Sequence, residues 1–328
     1  MSISTQTWQK ILVQAISDPA ELCRMLELDP DIISDCERSR QQFRMRVPRA
    51  FVSRMEKGNP NDPLLQQVLP LAIEMQTIPG FNQDPVGELS ASPVPGLLHK
   101  YHGRVLLTLT GACAVNCRYC FRRHYPYDEK VPGLSQWQAA LDYIAADSSI
   151  TEVILSGGDP LIVKDQQLAQ LITSLERIPH LKTLRIHTRL PIMIPERITK
   201  VLVDLLKQSR LKAVIVLHSN HANEIDKAVA AAITQCQDAG LIVLNQAVLL
   251  KNVNDSVDAL VQLSESLFEV GVLPYYLHVL DPVAGAAHFN VDKEKAKQLI
   301  AAMSDRLPGY LVPKLVQEVA GLSAKQLL

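Results

Sequence analysis

The chain has 328 residues, with 33 Lys and Arg against 34 Asp and Glu, and 47% of it is hydrophobic. That length and apolar content can bury a large core, and one barrel of alternating strands and helices, which often runs to about 250 residues, fits inside it with a smaller appendage. A net charge of −1 with no long run of like charges excludes global attraction to nucleic acid or an anionic membrane, so neither is expected as a partner.

Met1-Ser2-Ile3-Ser4-Thr5-Gln6 lacks a basic stretch followed by an apolar core, and no uninterrupted apolar run is long enough to span a bilayer, so the expected location is cytoplasmic. Residues 1–76 read as a small helical domain, in which Asp18, Pro19 and Glu21 form the pattern of a helix start. Residues 77–96 hold Pro79, Gly80, Pro85, Gly87, Pro93, Pro95 and Gly96, which rule out regular helix or a central strand and predict a linker or wrapping segment.

From Arg104 onward, β-branched apolar runs alternate with segments of helical period. Six strands are predicted, at residues 104–110, 152–156, 183–188, 213–218, 241–250 and 273–280. Between them lie amphipathic helices, such as one whose stripe is Leu168, Leu171, Ile172 and Leu175. Nearly continuous apolar strands imply burial on both faces, hence an α/β fold with a parallel sheet covered by helices. Six units are fewer than the eight of a closed barrel, which leaves an incomplete barrel and a doubly wound sheet both open. Polar residues gather at the predicted strand ends, the position where parallel α/β folds build active sites.

The first of those ends carries Cys113, Cys117 and Cys120, three of six cysteines within eight residues. In a cytosolic chain such a cluster reads as metal or redox chemistry rather than a disulfide framework. Structural zinc wants four closed ligands, whereas an iron–sulfur cluster held by three cysteines leaves one iron open to a non-protein ligand. Cys23, Cys36 and Cys236 have no such spacing and read as small core residues.

C-x3-C-x2-C after the first strand, followed by Ser156-Gly157-Gly158-Asp159 after the second, resembles the radical S-adenosylmethionine (SAM) enzymes. The resemblance implies a partial (β/α)6 radical SAM barrel, a [4Fe-4S] cluster on Cys113, Cys117 and Cys120, and SAM bound by the open iron and the glycine turn. Within that superfamily, residues 95–124, HSNHANEI from His218, LNQAVLLKNVND from Leu244, and PYYLHVLD with GAAHF are similar to the lysine 2,3-aminomutases. These motifs span residues 95–325, with residues 97–308 as the barrel and 309–328 as a C-terminal segment for pyridoxal 5′-phosphate (PLP). The short length, FRRHYPY and GYLVPKL are most similar to the members that make (R)-β-lysine for elongation factor P.

The resemblance implies isomerase chemistry in which a 5′-deoxyadenosyl radical converts L-α-lysine to β-lysine. It places the PLP lysine sixteen residues after Gly309, at Lys325. It assigns Arg122 to the substrate carboxylate, a role that suits a bidentate guanidinium, and Asp281 and Glu318 to the substrate ε-ammonium, with Glu318 standing where the family usually has aspartate. His218 and Gln246 match positions lining the SAM site, and Lys100 and Tyr101 align with an Arg-Tyr pair near the PLP phosphate. It further implies a one-electron reductant such as flavodoxin or ferredoxin, and a link to elongation factor P and its lysine ligase. A free-pool lysine or glutamate aminomutase, a radical SAM enzyme without PLP, and a non-catalytic iron–sulfur module stand as alternatives.

Overall fold

The computed structural model describes residues 7–40, 42–130 and 137–328. Met1–Gln6, read above for a leader, lie outside the described residues.

One nine-stranded sheet organises the chain, with its strands side by side in sequence order. Strands β2 (Arg104–Thr108), β3 (Glu152–Ser156), β4 (Thr183–Thr188), β5 (Lys212–His218), β6 (Ile242–Val248), β7 (Leu273–His278) and β8 (Lys314–Gln317) are parallel neighbours. An antiparallel strand flanks each edge: β1 (Leu97–Tyr101) on β2 and β9 (Gln326–Leu327) on β8. A doubly wound sheet reverses its strand order at a switch point; this order never reverses, which decides for the partial barrel. The six strands read from the sequence are β2 to β7. β1, β8 and β9 were missed; β8 and β9, at four and two residues, are too short to show a period of two.

Each parallel crossover passes through a helix that covers the outer face of the sheet. The helix Asp165–Glu176 buries Leu168, Leu171, Ile172 and Leu175, the stripe expected from sequence. Side-chain caps fix where these helices begin: Asp226 accepts from Val229 N at 2.8 Å and Asp292 from Glu294 N at 2.8 Å.

Upstream of the sheet lie the short helices Trp8–Val13, Pro19–Met25, Asp31–Arg40, Arg49–Val52 and Pro63–Gln66. Asp18 caps the second and Asp62 the last, each with proline at the first helical position. Trp8, Leu22, Phe51 and Leu64 are buried in the same continuous core as the barrel residues Val153 and Leu184. Arg54 ties this region to the barrel, donating to Ile192 O at 2.8 Å and pairing with Asp226 at 3.0 Å. The proline-rich segment then crosses the barrel mouth, where Asn82 exchanges backbone hydrogen bonds with Pro282 and Ala284 beyond β7. No helix among the described residues is long and apolar enough to cross a membrane.

Candidate active site

The barrel encloses a cavity of about 610 Å³, and every residue singled out above as a site residue lines it. At one end is the loop after β2 with Cys113, Cys117 and Cys120, all three free and partly exposed to the cavity. The N-terminal region braces this loop from behind. Asn116 N donates to Arg46 O at 3.0 Å, Arg118 N to Gln67 O at 2.9 Å, and the fully buried Arg118 forks onto Glu74 at 2.9 and 2.6 Å. Arg123 shares the same carboxylate at 2.8 Å.

The turn after β3 packs against that loop. A Cβ on Gly158 would lie 2.3 Å from Ala112 O, and one on Gly157, whose φ is +124°, would lie 2.6 Å from Thr110 O. The close approach these glycines permit is therefore to the cysteine loop's own backbone, with Gly158 N donating to Thr110 O and Asp159 N to Ala112 O. The Asp159 carboxylate accepts from Thr188 Oγ1, Arg189 N, Leu190 N and Leu161 N, all at 2.7–3.0 Å. It acts as a pin between the ends of β3 and β4.

Arg122 stands beside this turn with its fork already occupied. Glu88, from the proline-rich segment, accepts from Nε at 2.7 Å and Nη2 at 2.6 Å, while Nη1 donates to Ser156 Oγ and Gly157 O at 3.1 Å. Burial works against the Arg122 charge, but Glu88 more than offsets this and raises its pKa. Sequence reading missed Glu88; a carboxylate amid prolines carries no local signal of its distant partner.

At another wall, the β8–β9 hairpin brings Lys325 to the cavity. Val316 pairs with Leu327 and Gln317 with Gln326, so the turn between them presents Glu318 and Lys325 to the cavity. Lys325 Nζ donates to Glu318 Oε2 at 2.5 Å, and Lys100 Nζ to Glu318 Oε1 at 2.9 Å. Burial alone would raise the Glu318 pKa, yet Lys325 and Lys100 together hold it down to about 2. Asp281 is pushed the other way, up to about 7, by burial and by the Glu318 charge. Burial and Glu318 also push up the Tyr101 phenol.

Between the two walls, His218 at the end of β5 accepts or donates at 2.8 Å to Tyr119 Oη, and burial followed by the Arg189 charge drives its pKa well down, leaving a neutral imidazole. Gln246 of β6 lines the same wall. His187 Nε2 is buried, lines the cavity and has no hydrogen-bond partner among the described residues. Such a group is the kind a bound ligand satisfies.

The chain matches the radical SAM superfamily over residues 107–263. It is 51% identical to the L-lysine 2,3-aminomutase of Escherichia coli K12 over 323 residues, covering 98% of this chain and 94% of that one. The Haemophilus influenzae L-lysine 2,3-aminomutase is likewise 51% identical, over 98% of this chain and 95% of its own. The chain belongs to the L-lysine 2,3-aminomutase family. A more distant member, from Clostridium subterminale, is 34% identical over 97% of this chain and 76% of its own length.

L-lysine 2,3-aminomutases use a [4Fe-4S] cluster, SAM and PLP, and the cavity fits all three. Burial, then the charge of Cys120, drives the Cys113 thiol well up, and burial with Cys117 takes Cys120 up to about 11. The Cys113 and Cys120 thiols therefore resist ionising unaided, and bound iron would supply the missing positive charge. Among the described residues no three side chains converge to chelate a single metal ion, whereas a cubane spreads its thiolates over separate irons. For PLP the cavity offers the Lys325 amine with the Lys100 ammonium near it.

The sequence also left Arg189, Gln67 and Glu224 unassigned. They converge behind Cys117, and only the polar run His187-Thr188-Arg189 at the end of β4 hinted at one of them.

Proposed function

We propose that this L-lysine 2,3-aminomutase makes (R)-β-lysine, in the cytoplasm, for attachment to elongation factor P by a lysine ligase. The observation that carries the reading is that the three-cysteine loop and the Glu318–Lys325 pair line one and the same cavity of about 610 Å³.

Cys113, Cys117 and Cys120 would hold the cluster, the Ser156–Asp159 turn with His218 and Gln246 would flank SAM, and Lys325 with Lys100 and Tyr101 would hold PLP. When bound, these groups supply the hydrogen-abstracting radical and the electron sink for amino migration. The chain itself supplies position and charge. Asp281 and Glu318 are two carboxylates in a buried wall, and a desolvated ε-ammonium is stabilised between them. A glutamate side chain brought to the same wall meets like charge, which supports lysine as substrate.

At the other end Arg122 has five N–H donors, and Glu88, Ser156 and Gly157 take four of them, leaving one on Nη2 for the substrate carboxylate. A two-pronged grip therefore requires Glu88 to give up one oxygen contact.

The test is an anaerobic assay of reconstituted protein with SAM, PLP, a reductant and L-lysine, read by mass spectrometry, followed by addition of the ligase and elongation factor P. β-Lysine that the ligase transfers is the expected outcome. SAM cleavage without β-lysine overturns the pocket reading, and β-lysine of the wrong hand, refused by the ligase, overturns the link to elongation factor P.

A further inference from the structure

We propose that Arg189 sets the reduction potential of the cluster through its contact with Cys117, an inference that rests on Cys117 being a cluster ligand. Arg189 follows β4 and is 6% exposed. Its Nη1 donates to Cys117 Sγ at 2.8 Å and to Tyr119 Oη at 2.6 Å, while Nη2 donates to Gln67 Oε1 at 2.7 Å and Glu224 Oε2 at 3.0 Å. Asp159 fixes its backbone N at 2.8 Å. Gln67 belongs to the N-terminal region and Glu224 to the turn after β5, so three separate parts of the chain hold one guanidinium against one sulfur. Among the described residues it is the one cationic side chain that donates to a cysteine sulfur.

Reduction adds one electron to the cluster, delivered by the one-electron donor. A charged N–H donor on a ligand sulfur stabilises the added negative charge more than the oxidised state, and hydrogen bonds to sulfur are among the terms that set cluster potentials. Burial magnifies the effect, because nearby charges are poorly screened. Glu224, itself fully buried, partly cancels the cation. The two residues therefore pull the potential in opposite directions.

This predicts two shifts of opposite sign, measured by EPR-monitored redox titration of the anaerobically reconstituted full chain without SAM. Arg189→Gln moves the midpoint to more negative values, with Arg189→Lys between it and the parent, since lysine keeps the charge but not the fork. Glu224→Gln moves it to more positive values. A residue that merely props the loop gives no such pair of signs. An unshifted midpoint in Arg189→Gln, or an unshifted or negative-going one in Glu224→Gln, overturns the proposal. The second variant keeps it falsifiable even where the first assembles no cluster. A parent protein without a reducible [4Fe-4S] signal overturns instead the cysteine-ligand reading, and this inference with it.

Discussion

Glu318 Oε2 lies 2.5 Å from Lys325 Nζ, and the two residues face each other across the turn of the β8–β9 hairpin. A lysine three residues from the end of a chain ordinarily frays into solvent. Here pairing of Gln326 and Leu327 with β8, and the Leu328 N hydrogen bond to Leu315 O at 3.2 Å, hold the segment in place. The contact with Glu318 then orients the amine into the cavity.

Lys325→Ala should leave the cluster intact and abolish covalent capture of PLP. Borohydride reduction of loaded protein followed by peptide mass spectrometry should find a pyridoxyl group on Lys325 of the parent and none on the variant. A label elsewhere in the parent would move the PLP lysine.

Asp281 predicts a pH dependence. Its folded-state pKa of about 7 is raised above the unfolded value, which is about 3.9. The native protein therefore holds the proton that the unfolded chain has released, and Asp281 makes stability fall as pH rises from about 4 to about 7, with no further change above. Lysine binding runs the opposite way and strengthens through the same window, since the ammonium needs the ionised carboxylate. In Asp281→Asn both slopes should flatten, read by urea denaturation and by the pH profile of the KM for lysine.

Glu88→Ala strands the buried Arg122 charge. Removing one partner of such a pair costs about 3–5 kcal/mol, measurable by urea denaturation. Small carboxylates and L-lysine should restore more stability to the variant than to the parent, because Arg122 then gains the partner it lost. Equal effects on both proteins would show that Arg122 does not bind carboxylate.

Gly158→Ala puts a methyl group against Ala112 O, a backbone atom that cannot swing aside. The expected result is a folded chain with sharply reduced iron and sulfide content after reconstitution, since the displaced neighbour is the cysteine loop. Full cluster content would show that the turn and loop move independently.

Much of this was legible in one dimension. The six longer parallel strands and their helices announce themselves by period, because each buried face repeats along its own segment. C-x3-C-x2-C is visible because its three cysteines sit in one loop, and the family motifs pointed by register to Lys325, Asp281 and Glu318, which the structure brings to the same cavity. What only the tertiary structure decided are relations between distant segments: the hairpin that anchors Lys325, Glu88 occupying the fork of Arg122, the glycines fitted to the cysteine loop, and Arg189 held against Cys117. Lys100 and Glu318 are 218 positions apart, and Arg189 and Gln67 are 122 apart. Side chains that meet only after the barrel has curved leave no periodic trace, since their identities are set by charge and hydrogen bonding across space and not by neighbours in the chain.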